Sequence, residues 1–156
     1  MRKFLLAVMI ALVAGGGGAA AAKGQEPKPE VLGIRIGMSV EEARARLGKM
    51  GRLEKEERKQ QEIWALDSDR SFSYLIVGFD KAYKEVRYVT AKAREGGRAV
   101  RYSEVLDIEG AQKIVSPPKY EYVCEVAAKG DSPAYTVIAQ GRDPQVLTYF
   151  SVKKKE

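Results

Sequence analysis

Six stretches between Glu62 and Val152 alternate apolar and polar side chains, and a chain patterned with that period is committed to half-buried strands rather than helices. They are Glu62–Leu66, Ser73–Phe79, Glu85–Ala93, Tyr120–Val126, Tyr135–Gln140 and Val146–Val152, all rich in β-branched and aromatic residues. Ser68-Asp69-Arg70, Asp80-Lys81-Ala82, Lys129-Gly130-Asp131 and Gly141-Arg142-Asp143-Pro144 separate them as turns. Trp64, Tyr74, Phe79, Tyr122, Tyr135 and Phe150 recur at strand spacing and are expected in the core.

One helix signal precedes the strands. Ser39 stands three residues before Glu42 as a capping box, and Val40, Ala43 and Leu47 then fall on one stripe while Glu41, Arg44 and Arg46 face water. Gly48 is expected as a left-handed cap. Two turns do not hold alone in water, so the stripe must pack on a sheet. The fold class is therefore α+β, with short helices on an antiparallel sheet. Residues 52–62 carry four basic and four acidic side chains and hardly an apolar one, which reads as a solvated loop or exposed turn.

The ends of the chain set its expected compartment. Met1-Arg2-Lys3, the apolar run Phe4–Ala14 and the small residues up to Ala22 form a secretory signal, residues 1–22, cleaved after Ala22. The apolar run is well short of the roughly 20 residues of a spanning helix, so no transmembrane segment is expected after cleavage. Gly16 follows Leu12-Val13-Ala14-Gly15 where a lipobox needs cysteine, which points to a soluble periplasmic or secreted form rather than a lipoprotein. Residues 23–31, with two prolines, read as a flexible linker, residues 32–152 as one α+β domain, and residues 153–156 as a basic tail.

Tyr74-Leu75-Ile76-Val77 leads to Val86-Arg87-Tyr88-Val89, and Tyr135-Thr136-Val137-Ile138 leads to Val146-Leu147-Thr148-Tyr149 at nearly the same spacing. Trp64 and Tyr122 hold comparable places upstream. Any antiparallel meander produces such spacing, and so does a tandem duplication of units 33–94 and 98–152; both explanations stand at this level. The run Gly33-Ile34-Arg35-Ile36-Gly37-Met38-Ser39-Val40-Glu41-Glu42-Ala43, with Leu47-Gly48, Trp64, Val77-Gly78-Phe79-Asp80 and Val86, resembles the SmpA/OmlA group of outer-membrane assembly proteins over residues 33–91. It also resembles the β-lactamase-inhibitor-protein fold, in which helix-plus-sheet units occur in tandem. The resemblance implies helices on one face of an antiparallel sheet and action by binding proteins or lipid rather than by catalysis. Gly16 in place of a lipidated cysteine, the turn after Asp80 without glycine, and a second unit without a Gly37-Met38-Ser39 entry depart from those patterns.

Catalytic chemistry has little to work with. The chain has no histidine and one cysteine, so His-based triads, zinc fingers, haem attachment and disulfide scaffolds are excluded. Cys124 alternates with Tyr120, Tyr122 and Val126 and is expected as a core thiol. No catalytic, cofactor-binding or metal-ligating residue is assigned, and no cofactor is expected. One constellation remains. Gly96-Gly97 reads as a two-residue hairpin loop that would set Lys92 opposite Arg101 with Arg94 alongside, and residues 81–101 hold seven basic against two acidic side chains. Edge protection explains such charge. A partner-binding basic patch of Lys92, Arg94 and Arg101 facing an acidic protein surface or anionic headgroups explains it too. Nucleic acid is not expected as a partner. The sequence thus leads to an exported, non-catalytic binding or assembly-support module of the bacterial cell envelope. A secreted inhibitor of another enzyme and an enzyme of unfamiliar type are the alternatives.

Overall fold

A computed structural model of the chain describes residues 26–58 and 60–156. The expected signal, 1–22, and the start of the expected linker lie outside the described residues. Part of the expected linker is held to the domain: Ile36 N donates to Pro29 O at 3.1 Å and the Tyr135 hydroxyl donates to Pro27 O. Glu30–Val31 (β1) pairs with Ile34–Arg35 (β2) through a two-residue turn, Leu32-Gly33, in which both residues have positive φ.

Helix α1 spans Val40–Met50 and buries Val40, Ala43 and Leu47. The Ser39 side chain caps it by accepting from Glu42 N at 3.2 Å, but the Glu42 carboxylate turns away to Arg46 at 2.8 Å, so only half of the expected box forms. The helix also runs through Gly48. It stops at Gly51, in extended conformation, because there the chain enters a strand.

Eight strands follow: β3 (Gly51–Glu57), β4 (Gln61–Leu66), β5 (Phe72–Phe79), β6 (Val86–Ala93), β7 (Gln112–Ser116), β8 (Lys119–Val126), β9 (Tyr135–Gly141) and β10 (Tyr149–Lys154). They form one sheet in the order β3-β4-β5-β6-β10-β9-β8-β7, every neighbouring pair antiparallel. The fold is thus α+β and mostly sheet, with one α-helix among the described residues rather than several.

Two four-stranded meanders, β3 to β6 and β7 to β10, meet through their last strands. Thr90 faces Ser151 at the join. About that point the pairings of one half correspond to those of the other: Leu75 with Ala91 to Val137 with Val152, and Glu62 with Val77 to Tyr122 with Ala139. The sequence echo lies one or two residues off this register, since Tyr74 corresponds to Thr136, and Trp64 to Cys124 rather than Tyr122.

One face of the sheet holds the core. Trp64, Leu75, Val77, Val89, Ala91, Tyr122, Val137, Ala139, Phe150 and Val152 point to it and are buried beneath α1, the β1–β2 hairpin and the 100–106 connection. The second half has no helix ahead of β7. A single 3-10 turn, Tyr102–Glu104, and Leu106 stand there instead, with the Tyr102 ring 4.8 Å from that of Tyr122.

Residues 52–57, expected as loop, form the edge strand β3, and β7 had no sequence signal. The Gly96-Gly97 hairpin does not form. Both edges of β6 are taken by β5 and β10, which bury Val89 and Ala91 completely, so no edge remains for residues 98–102. Arg98 N donates instead to Arg70 O at 2.8 Å, folding the glycine turn back on the β4–β5 loop.

Candidate functional site

Alternation along the strands leaves the second face of the sheet with no described element across it. Cross-strand register assembles it into rows. The central row reads Ile63, Ile76, Thr90, Ser151, Ile138, Val123 across six strands, every side chain half-buried. The Thr90 and Ser151 hydroxyls are hydrogen-bonded at 2.8 Å in its middle. One flanking row runs Tyr74, Lys92, Tyr149, Gln140, Glu121, and the other Gln61, Gly78, Tyr88, Lys153, Thr136, Glu125. Two aliphatic pairs, Ile63 with Ile76 and Ile138 with Val123, thus flank the Thr90–Ser151 hydroxyls between two rows of tyrosine, lysine and other polar groups.

Gly78 gives this face its local shape. A Cβ there would lie 1.9 Å from the Tyr88 ring, so the absent side chain lets the ring lie flat across β5 while the Tyr88 hydroxyl donates to the Gln61 side-chain oxygen. Tyr74, expected in the core, belongs to this open face.

The expected basic patch is dispersed. Lys92 lies on the open face between Tyr74 and Tyr149, half-buried and without an ion-pair partner among the described residues. Arg94 is a structural clamp. Its guanidinium donates to Asp69 O at 2.8 Å, to Phe72 O at 3.2 Å and to Leu66 O, filling the turn between β4 and β5. Arg101 is exposed at the start of the 3-10 turn, where its backbone N–H donates to Glu104 Oε1 at 2.9 Å. The three side chains form no common surface, because the register that would have joined Lys92 to Arg101 does not exist.

Under the helix lies a polar cluster that sequence reasoning missed. Glu62 is 0% exposed, yet its carboxylate accepts from Arg44 Nε at 2.7 Å, the Tyr83 hydroxyl at 2.7 Å and Trp64 Nε1 at 2.9 Å. Burial pushes the Glu62 carboxyl up, but the bonds from Arg44, Tyr83 and Trp64 outweigh it and hold it below the usual carboxylate range. The Arg44 guanidinium also stacks 5.3 Å from the centre of the Tyr83 ring. No buried polar atom of the cluster lacks a partner, so its work is to tie α1 and the β5–β6 turn to β4. Arg44, expected to face solvent only, is drawn in by this acid.

Two other places offer less chemistry. Burial pushes the half-buried Cys124 thiol up, with Asp107 and Glu26 adding to the effect, the opposite of what a nucleophile needs. A groove of about 600 Å³ opens between residues 26–33 and 103–109. Two of its carboxylates are already engaged, Glu104 by Arg98 at 2.8 Å and Asp107 by Glu109 N at 3.1 Å. Among the described residues no group of three or more metal-ligating side chains converges, and no helix is long and apolar enough to cross a membrane.

No protein-family model matches the chain, and neither a curated protein nor a solved structure shows significant similarity to it.

Proposed function

We propose that the protein is a non-catalytic binding module, exported to the bacterial cell envelope, that supports assembly by docking another protein on the open face of its sheet. The observation that carries this reading is the continuous row from Ile63 to Val123, six half-buried side chains with no described element above them. The four aliphatic side chains of that row, paired on either side of the Thr90–Ser151 join, are left half-covered on one face, the kind of grouping that a partner surface completes. The export signal at residues 1–22 and the resemblance of residues 33–91 to the SmpA/OmlA group belong to the same proposal.

Site-specific photo-crosslinking in intact cells tests it. A crosslinker placed at Ile76 and, separately, at Ile138 should trap one and the same protein, while placement at Glu41 on the helix should not. Different proteins from the two face positions, or the same adduct from Glu41, would refute docking on this face. The tandem-sheet resemblance also favours a second reading, a secreted inhibitor using the same surface. It requires the captured protein to be an enzyme that loses activity on stoichiometric addition of the purified chain.

A further inference from the structure

Along the two joined strands the halves of the open face agree where the fold does not require it, whereas on the strands outside them Tyr74 corresponds to Thr136 and Gly78 to Gln140. Across the Thr90–Ser151 join, Tyr88-Val89-Thr90-Ala91-Lys92 of β6 corresponds to Tyr149-Phe150-Ser151-Val152-Lys153 of β10. The outward positions match in chemistry: Tyr with Tyr, Thr with Ser, Lys with Lys. The inward positions do not: Val89 stands for Phe150, Ala91 for Val152, and two strands further out Glu62 for Tyr122. Packing dictates the inward side chains and leaves the outward ones free. Agreement on the free side over a core that differs marks a demand imposed from outside the molecule.

The lysines define that demand. Each lies beside a tyrosine of the other half, Lys92 by Tyr149 and Lys153 by Tyr88, and neither has an ion-pair partner among the described residues. Four residues along the strands and one strand across separate them, roughly 14 Å between Cα atoms. The glutamates at the margins are already used: Glu57 by Lys55 at 2.5 Å, Glu121 by Lys119 at 2.6 Å and Glu125 by Lys155 at 2.7 Å. The centre of the face therefore presents two uncompensated ammonium groups on either side of the Thr90–Ser151 hydroxyl pair, with Ile76 and Ile138 one strand further out. A second copy laid on this face would bring two more ammonium groups and no free carboxylate to meet them.

We infer, resting on the docking reading above, that this face recognises an acidic protein surface in which two carboxylates lie about 14 Å apart on either side of a small polar side chain that meets the Thr90–Ser151 hydroxyls. Both ammonium groups then engage at once, each beside a tyrosine ring, while Ile76 and Ile138 contact the partner on either side of the Thr90–Ser151 pair. Bidentate engagement makes carboxylate spacing, not total charge, the quantity that is read.

Two peptides of one composition test this by NMR titration of the full chain. In blocked Glu-Ile-Thr-Ile-Glu the carboxylates lie about 13 Å apart when extended, and in blocked Ile-Glu-Glu-Thr-Ile they are adjacent. The first should shift the Ile76 and Ile138 signals and bind about tenfold more tightly than the second. The Lys92→Gln/Lys153→Gln double variant should abolish that preference, and Lys92→Arg/Lys153→Arg should restore it. Equal binding of the two peptides, indifference to the glutamine substitutions, or no binding of either would overturn the inference. Shifts at Ile76 and Ile138 that ignore the lysines would overturn it while leaving the docking reading intact. Lysine-dependent binding of phosphatidylglycerol vesicles without peptide binding would also overturn it, in favour of an anionic membrane surface.

Discussion

Glu62 shows how a single side chain can be anchored so completely that it ceases to be chemistry. Its carboxylate is out of water and holds three donors on α1, the β5–β6 turn and its own strand. Replacing it by glutamine, which keeps the volume but removes the charge, should cost about 2 kcal/mol, less than for a fully buried pair because the Arg44 side chain is 41% exposed and can be rehydrated. The pH dependence follows from the lowered pKa. A carboxyl whose folded pKa lies below its unfolded value contributes stability above the unfolded value, near 4.5, and loses it as pH falls through the folded one. The stability gap between wild type and Glu62→Gln should therefore be constant at neutral pH and shrink below about pH 4, measured by urea unfolding. Arg94→Gln should cost about 1–2 kcal/mol, because three loop carbonyls lose their donor, and should leave peptide binding unchanged. Glu62 could have been placed from sequence: it shares parity with Trp64 and Leu66, so a strand that buries the tryptophan buries the glutamate. The charged run before it masked that signal. Arg94 could not, since its role depends on a loop that comes round from β4 to meet it.

At the scale of elements, what the sequence displayed was governed by how many neighbours a strand has. The central strands alternate because one face is buried and the other is not, and six of the eight were legible for that reason. Strand β3 has one partner and exposes nearly every side chain, so charged residues satisfy it and no alternation is written into Arg52–Glu57. Strand β7 is exposed throughout and is equally silent. The helix was legible by its cap and stripe, while its C-terminus was misplaced because Gly48 is a good stop signal that the continuing Leu47–Met50 turn overrides. Two glycine contacts supply tests. Gly51→Ala would drive a Cβ to 1.8 Å from the Ala65 carbonyl oxygen, a backbone atom with nowhere to go, and should cost 2 kcal/mol or more, roughly the range of core overpacking. Gly78→Ala meets only the Tyr88 ring, so it should cost about 1–2 kcal/mol in the wild type and close to nothing in a Tyr88→Ala background. A double-mutant cycle in denaturant reads the difference.

For the whole molecule the decisive contact is the join between β6 and β10. Val89, Ala91 and Val152 are fully buried there and Phe150 nearly so, with each half supplying the cover for the other's last strand. Separately expressed 26–93 and 94–156 should each be unfolded by circular dichroism, and the intact chain should melt in one transition. Phe150→Ala should lower stability by about 3 kcal/mol without splitting that transition. The order of the strands was beyond the sequence, because pairing of two last strands rather than a hairpin through Gly96-Gly97 depends on segments nearly sixty residues apart. Lys92 stands out in the sequence as a charge without a reason, Lys153 reads there as part of a basic tail although β10 runs through it to Lys154, and Arg94 and Arg101 are set apart from Lys92 only by the true register. The margins of the sheet carry one more consequence. Strand β3 ends the sheet in five charged residues around a single apolar one, Leu53, 42% exposed, with an irregular register, whereas β7 ends it in one charged residue, Lys113, and the adjacent Ile114 and Val115, 41% and 49% exposed. Two molecules that met along β7 would turn only guarded β3 rims outward, so concentration could drive this protein to pairs but not to filaments.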